Sequence, residues 1–164
     1  MENNYIFLDL DGVILNSEEK VKNLIEKFNP QTKKEWEQFF HNIDWSKLLK
    51  ESKSINNSVE IIQELQLIRQ NLMILTKVHT LGEMQAKTLD LRQNRMIYLP
   101  ILFVPPHIKK SQIYLPSNGE ILVDDSYKNI DDWINNGGTG ILFDESCDYQ
   151  TQNKVKSLEF LLRR

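Results

Sequence analysis

A single cysteine, Cys147, occurs in the 164 residues. That excludes an internal disulfide framework and any metal site built from several thiolates. Nothing basic in "FDESCDYQ" would activate the thiol, so Cys147 reads as an inert packing group within a solvated acidic turn. Long apolar runs are missing too. "YIFL", "MIL" and "ILFV" fall far short of the roughly 18 residues that a membrane span requires. "MENNY" opens without the basic region of a secretory leader, which points to a cytoplasmic protein. Nor is there an excess of one charge. The 20 Lys and Arg against 23 Asp and Glu leave a net charge of −3, which nominates neither a nucleic acid nor an anionic membrane as partner. No internal repeat or low-complexity tract is present.

What is present is a chain of one-domain length with an ordinary globular composition. Five short apolar runs rich in β-branched or aromatic residues, at 5–8, 72–75, 97–104, 121–123 and 140–143, predict strands. Helical spacing lies between them. "SVEIIQELQLIRQN" carries Val59, Ile62, Leu65 and Leu67 or Ile68 on one stripe, and "TLGEMQAKTLDLRQN" carries Leu81, Met84, Leu89 and Leu91. "NIDDWINNGG" ends in a glycine stop. The alternation predicts an α/β domain with a mostly parallel, Rossmann-like sheet and flanking helices, whose ligands sit beyond the carboxyl ends of the strands. Residues 17–57, rich in Lys and Glu, predict two or three helices inserted after the first strand as a small cap, leaving 1–16 and 58–164 as the core.

The polar residues that follow the apolar runs recur in type. Asp9 and Asp11 follow the first, Thr76 and Lys77 the second, Lys109 and Lys110 come shortly after the third, and Asp124 and Asp125 follow the fourth. A parallel sheet brings these ends to one side, so residues more than a hundred positions apart converge on one crevice. Carboxylates crowded there raise each other's pKa and resist desolvation, and a hard divalent cation resolves the conflict. Oxygen donors alone select Mg²⁺, and hydroxyl and ammonium groups suit phosphate oxygens. The i, i+2 spacing of Asp9 and Asp11 allows one carboxylate to attack phosphorus and the other to move protons. Gly12 permits a turn that a side chain would hinder.

The sequence resembles the haloacid dehalogenase (HAD) superfamily of phosphohydrolases. "DLDGV" looks like its first motif, "ILT" with Thr76 the second, a lysine of "HIKKS" the third and "ILVDD" the fourth. The resemblance implies Asp9 as nucleophile and Asp11 as general acid/base. It implies Mg²⁺ on the side chains of Asp9 and Asp124 and the main-chain carbonyl of Asp11. Thr76, with Lys77 nearby, and one of Lys109 and Lys110, with Lys110 favoured, would bind the phosphoryl group. Asp125 is a supporting residue, and Asn129 would cap or steady the motif.

The implied activity is hydrolysis of a phosphate monoester through an aspartyl-phosphate. A dehalogenase would leave Asp11 and the pair at 124 and 125 without a task. "ILVDDSYKNIDDWINNGGTGILF" looks most like the 5'-nucleotidases that act on deoxyribonucleoside monophosphates, which makes a small phosphorylated substrate, a nucleotide, the expected partner. The alternatives are a sugar phosphate, a polynucleotide end, a phosphoprotein, or a binding protein that kept the fold without catalysis. Trp36, Phe39, Phe40 and Trp45 would stack on a base or form the small core of the cap. His41, His79 and His107 lack metal-ligand spacing and read as solvated or helix-start residues.

Overall fold

A computed structural model describes residues 4–69, 71–148 and 151–163. Part of "MENNY", the end of "SVEIIQELQLIRQN" at Gln70, and the last two residues of "DESCDYQ" lie outside the described residues. Six parallel strands form one sheet in the order β3-β2-β1-β4-β5-β6. These are β1 (Ile6–Leu8), β2 (Leu72–Lys77), β3 (Ile101–Val104), β4 (Ile121–Asp124), β5 (Thr139–Phe143) and β6 (Lys154–Val155). The strand order reverses at β1, which is the place where open α/β sheets gather their ligands.

Side chains alternate across the sheet. Ile6 and Leu8 face one core with Ile74, Ile121, Val123 and Ile141. Phe7 faces the other with Leu75, Leu122 and Leu142. On the first side pack α4 (Ser58–Ile68) and α5 (Leu81–Leu89); on the second pack α6 (Lys110–Ile113) and α7 (Tyr127–Asn135). Trp133 of α7 is fully buried against Phe7, with ring centroids 5.1 Å apart, and its indole donates to the carbonyl of Glu120.

Residues 17–57 form three helices, α1 (Ser17–Phe28), α2 (Lys33–Asn42) and α3 (Trp45–Glu51). Each of the latter two begins at a residue whose side chain accepts from the third residue in: Thr32 from Glu35 and Asp44 from Lys47. Trp45, Leu48 and Leu49 enter the first core rather than a core of their own. Arg95 ties the segment down further by donating to the carbonyls of Leu49 and Ser52. Phe28, Trp36, Phe39 and Phe40 pack on one another.

Three expectations need correction. The strand expected over 97–104 begins only at Ile101, because Arg92 takes the carbonyls of Ile97 and Leu99 and Pro100 has no N–H for a ladder. On α4, Val59, Ile62 and Leu65 are buried while Leu67 and Ile68 are exposed beyond the end of the covered face. On α5, Leu81 and Leu89 are exposed and the buried positions are Glu83, Ala86 and Lys87. The helix then widens into a π-turn over Asp90–Asn94, which brings Leu91 into the core.

Candidate active site

Asp9 stands at the end of β1, its backbone N–H held by the carbonyl of Val123 on the neighbouring strand. The chain then turns back on itself. Leu15 and Ile14 donate to the carbonyl of Leu10, and Gly12 donates to Leu15. Gly12 adopts a φ of +83°, and a Cβ there would collide with the carboxylates of Asp125 and Glu18. The apolar "VIL" that follows is wholly buried and anchors this turn. Asp9 and Asp11 are thereby presented at the sheet edge by a rigid support.

Asp9, Asp124 and Lys110 form a buried triangle. The Lys110 ammonium lies 3.0 Å from Asp9 Oδ1 and 2.7 Å from Asp124 Oδ2. Asp124, fully buried at the end of β4, also accepts from the Ser126 N–H and from the Asn129 amide, which reaches both of its oxygens at 3.0 and 3.1 Å. Asp125 adds a third acid: one carboxylate oxygen from each of Asp9, Asp124 and Asp125 lies within 4.8 Å of the others. Burial pushes Asp9 up to about 7, against the pull of Lys110. Burial together with a hydrogen bond shared with Glu18 pushes Asp125 up to about 9.

One ammonium therefore leaves this acidic group short of positive charge. An all-oxygen donor set of three carboxylates facing one ammonium, largely withdrawn from water, fits a hard divalent cation.

Asp11 points to the other flank of the crevice. It accepts from Ser17 Oγ at 2.5 Å, from Thr76 Oγ1 at 3.2 Å and from Lys87 Nζ at 2.6 Å. Burial alone would raise its pKa, but the charge and hydrogen bond of Lys87, with those of Ser17 and Thr76, bring it below the usual carboxylate value. Thr76 is fully buried at β2. Lys77 is half-buried next to it, its pKa lowered by burial and by the positive charges of Lys110 and Lys128.

The two neighbouring lysines part company. Lys110 enters the triangle, whereas Lys109 lies on the surface and pairs with Asp132 at 3.0 Å. His41 and His107 are exposed.

Sequence reasoning missed Lys87, Glu83 and Ser17. Ser17 stands four residues past the end of "DLDGV". Glu83 and Lys87 are spaced i, i+4 but sit among ordinary helix formers, so nothing local sets them apart.

No protein-family model and no curated protein matches this sequence. Solved structures match its shape. A HAD-hydrolase from Bacillus subtilis, YfnB, bound to magnesium, superposes with a TM-score of 0.63 at 13% identity, over 99% of this chain and 98% of that one. The fold is that of the HAD hydrolases. A HAD-superfamily hydrolase from Ehrlichia chaffeensis gives a TM-score of 0.59 at 10% identity, covering 99% of this chain and 96% of its own. D,D-heptose 1,7-bisphosphate phosphatase from Burkholderia thailandensis gives 0.51 at 15% identity, covering 85% of this chain and 77% of its own. Among the described residues no helix is long and apolar enough to cross a membrane.

Proposed function

We propose that this protein is a cytoplasmic, Mg²⁺-dependent phosphatase of the HAD type, hydrolysing a phosphate monoester through an aspartyl-phosphate on Asp9. The observation that carries this reading is the convergence of Asp9, Asp11, Thr76, Lys110 and Asp124 at the carboxyl ends of three adjacent parallel strands. Mg²⁺ held by Asp9, Asp124 and the Asp11 carbonyl, with Asp125 alongside, would offset negative charge on the phosphoryl oxygens. The magnesium in the Bacillus subtilis structure supports that choice of ion.

The chain's own groups divide the work. An Asp9 oxygen attacks phosphorus while the bond from phosphorus to the leaving alkoxide breaks, and Asp11 hands that alkoxide a proton. A monoester entering as its monoanion brings this proton with it, because the second phosphate pKa is about 6. Water then attacks the phosphorus of the aspartyl-phosphate, Asp11 takes the water's proton, and Asp9 leaves as carboxylate. Lys87 holds Asp11 in the base form that this second half requires. Thr76 and Lys110 donate to the transferring phosphoryl oxygens, with Lys77 adding positive charge nearby. Lys109 is left outside this set by its pairing with Asp132.

For the substrate, the C-terminal stretch from Ile121 to Phe143 supports a nucleoside monophosphate, on its resemblance to the 5'-nucleotidases. The heptose bisphosphate phosphatase supports the rival of a sugar phosphate. Residues 17–57 serve as the cap in either case. A panel of deoxyribonucleotides, ribonucleotides, sugar phosphates and a 5'-phosphorylated oligonucleotide, each with Mg²⁺, tests both. Turnover confined to sugar phosphates would remove the nucleotidase reading. No turnover of any of them, nor of an aryl phosphate, would favour a binding protein.

A further inference from the structure

Lys87 is 1% exposed and carries a charge whose burial costs several kcal/mol unless it is compensated. Its compensation is directed at the crevice. The ammonium meets Asp11 Oδ2 at 2.6 Å, the Lys77 carbonyl at 2.7 Å, Glu83 Oε1 at 2.9 Å and Thr76 Oγ1 at 3.2 Å. Glu83, 2% exposed, uses its other oxygen on residue 79: Oε2 accepts from the His79 backbone N–H at 2.7 Å and faces the ring Nδ1 at 3.2 Å. His79 in turn lies flat on Phe40 of α2, with ring centroids 3.6 Å apart and planes 7° from parallel. Glu83 and Lys87 share one face of α5 at i, i+4, and His79, just before the helix, joins them through Glu83, so the three form a line from the inserted helices to Asp11.

A helix face needed only for packing would be satisfied by apolar side chains of similar volume at lower desolvation cost. We propose that His79, Glu83 and Lys87 are positioning residues that fix the Asp11 carboxylate and the Thr76 hydroxyl, and that α2 acts on this line through the stack of Phe40 on His79. The proposal rests on the reading of Asp11 as the acid/base. Lys87 sets where the carboxylate stands, Glu83 fixes Lys87, and His79 fixes the second oxygen of Glu83. A displacement of α2 is thereby felt at Asp11 without α2 touching it.

The defect expected from a misplaced acid is selective for leaving groups. An alkyl phosphate needs its alkoxide protonated, whereas p-nitrophenyl phosphate expels a stable phenolate. Lys87→Met should lower kcat/KM, which reports the transfer step alone, roughly a hundredfold on an alkyl phosphate and much less on p-nitrophenyl phosphate, the pattern of Asp11→Asn, while kcat falls on both because both share the hydrolysis of the aspartyl-phosphate. His79→Ala and Phe40→Leu, which remove no buried charge, should show the same selectivity at about three- to tenfold. Equal losses of kcat/KM on both substrates, or none, would overturn the proposal.

A second measurement does not depend on turnover. With ¹³C-labelled aspartate, the Asp11 carboxyl signal, assigned by its loss in Asp11→Asn, should move in His79→Ala and in Phe40→Leu. An unmoved signal in both overturns the line whatever the activity. An inactive wild-type protein with a moving signal would instead remove the phosphatase reading and leave the coupling in place.

Discussion

Lys110 donates to Asp124 across 2.7 Å in a site where both side chains are almost wholly shielded from water. The same ammonium reaches Asp9 at 3.0 Å, so one cation serves two carboxylates that would otherwise repel each other. Lys110→Met removes that cation and leaves two buried acids together. Activity should fall by about 10²-fold or more, and the metal-free protein should lose roughly 3–5 kcal/mol of stability. Lys109→Ala breaks only an exposed pair with Asp132 and should cost about 0–1 kcal/mol with little change in kcat. Parallel urea titrations and initial rates separate the two, and equal effects would undo the assignment of Lys110.

Asp9→Asn keeps the shape of the side chain while removing the carboxylate proposed as nucleophile. Turnover should disappear on every phosphate ester, with the circular dichroism spectrum retained. An active Asp9→Asn protein would sink the mechanism.

The proposed metal and pH would act on the same carboxylates. Burial pushes Asp9 up to about 7 and Asp125 up to about 9, both above the ordinary value of 3.8. The folded state then binds more protons than the unfolded one across that window, so its stability should decline as pH rises from about 4 towards 9. Mg²⁺ favours the ionised carboxylates and should flatten the decline, raising the midpoint of thermal unfolding more at pH 8 than at pH 5. Differential scanning calorimetry with Mg²⁺ or with a chelator reads this directly. A midpoint indifferent to Mg²⁺ at both pH values would count against the metal site, as would activity that survives chelation.

Trp133 fills the core behind β1 and β4, touching Phe7 and bonding to Glu120. Trp133→Ala should destabilise the protein by about 3–5 kcal/mol through the cavity it opens. Chemical denaturation measures the loss; a change below 1 kcal/mol would mean that the neighbouring rings collapse into the space.

Much of the sheet was legible because a buried parallel strand announces itself as a short run of Ile, Val, Leu and Phe ending in a polar pair. β6 escaped notice because two residues carry no periodicity, and Lys154–Val155 becomes a strand only by pairing with Leu142 and Phe143. α5 was misread for a deeper reason. Periodicity locates apolar side chains, and Leu81 and Leu89 fit a stripe, yet both face solvent. Lys87 can be buried because Asp11, 76 positions earlier, supplies its counter-charge, and no local pattern contains that information.

The amino-acid sequence by itself determined the alternation of strands and helices, the strand ends at which Asp9, Thr76 and Asp124 stand, and the need for a turn at Gly12. These are local matters of side-chain period, backbone freedom and charge. Only the tertiary structure decided which lysine enters the acidic group, that Asn129 holds Asp124, and that Glu83 and Lys87 turn inward to Asp11. The burial of Lys110 and of Lys87 depends on carboxylates brought close by the sheet, because a buried charge is tolerated only where the fold delivers its opposite.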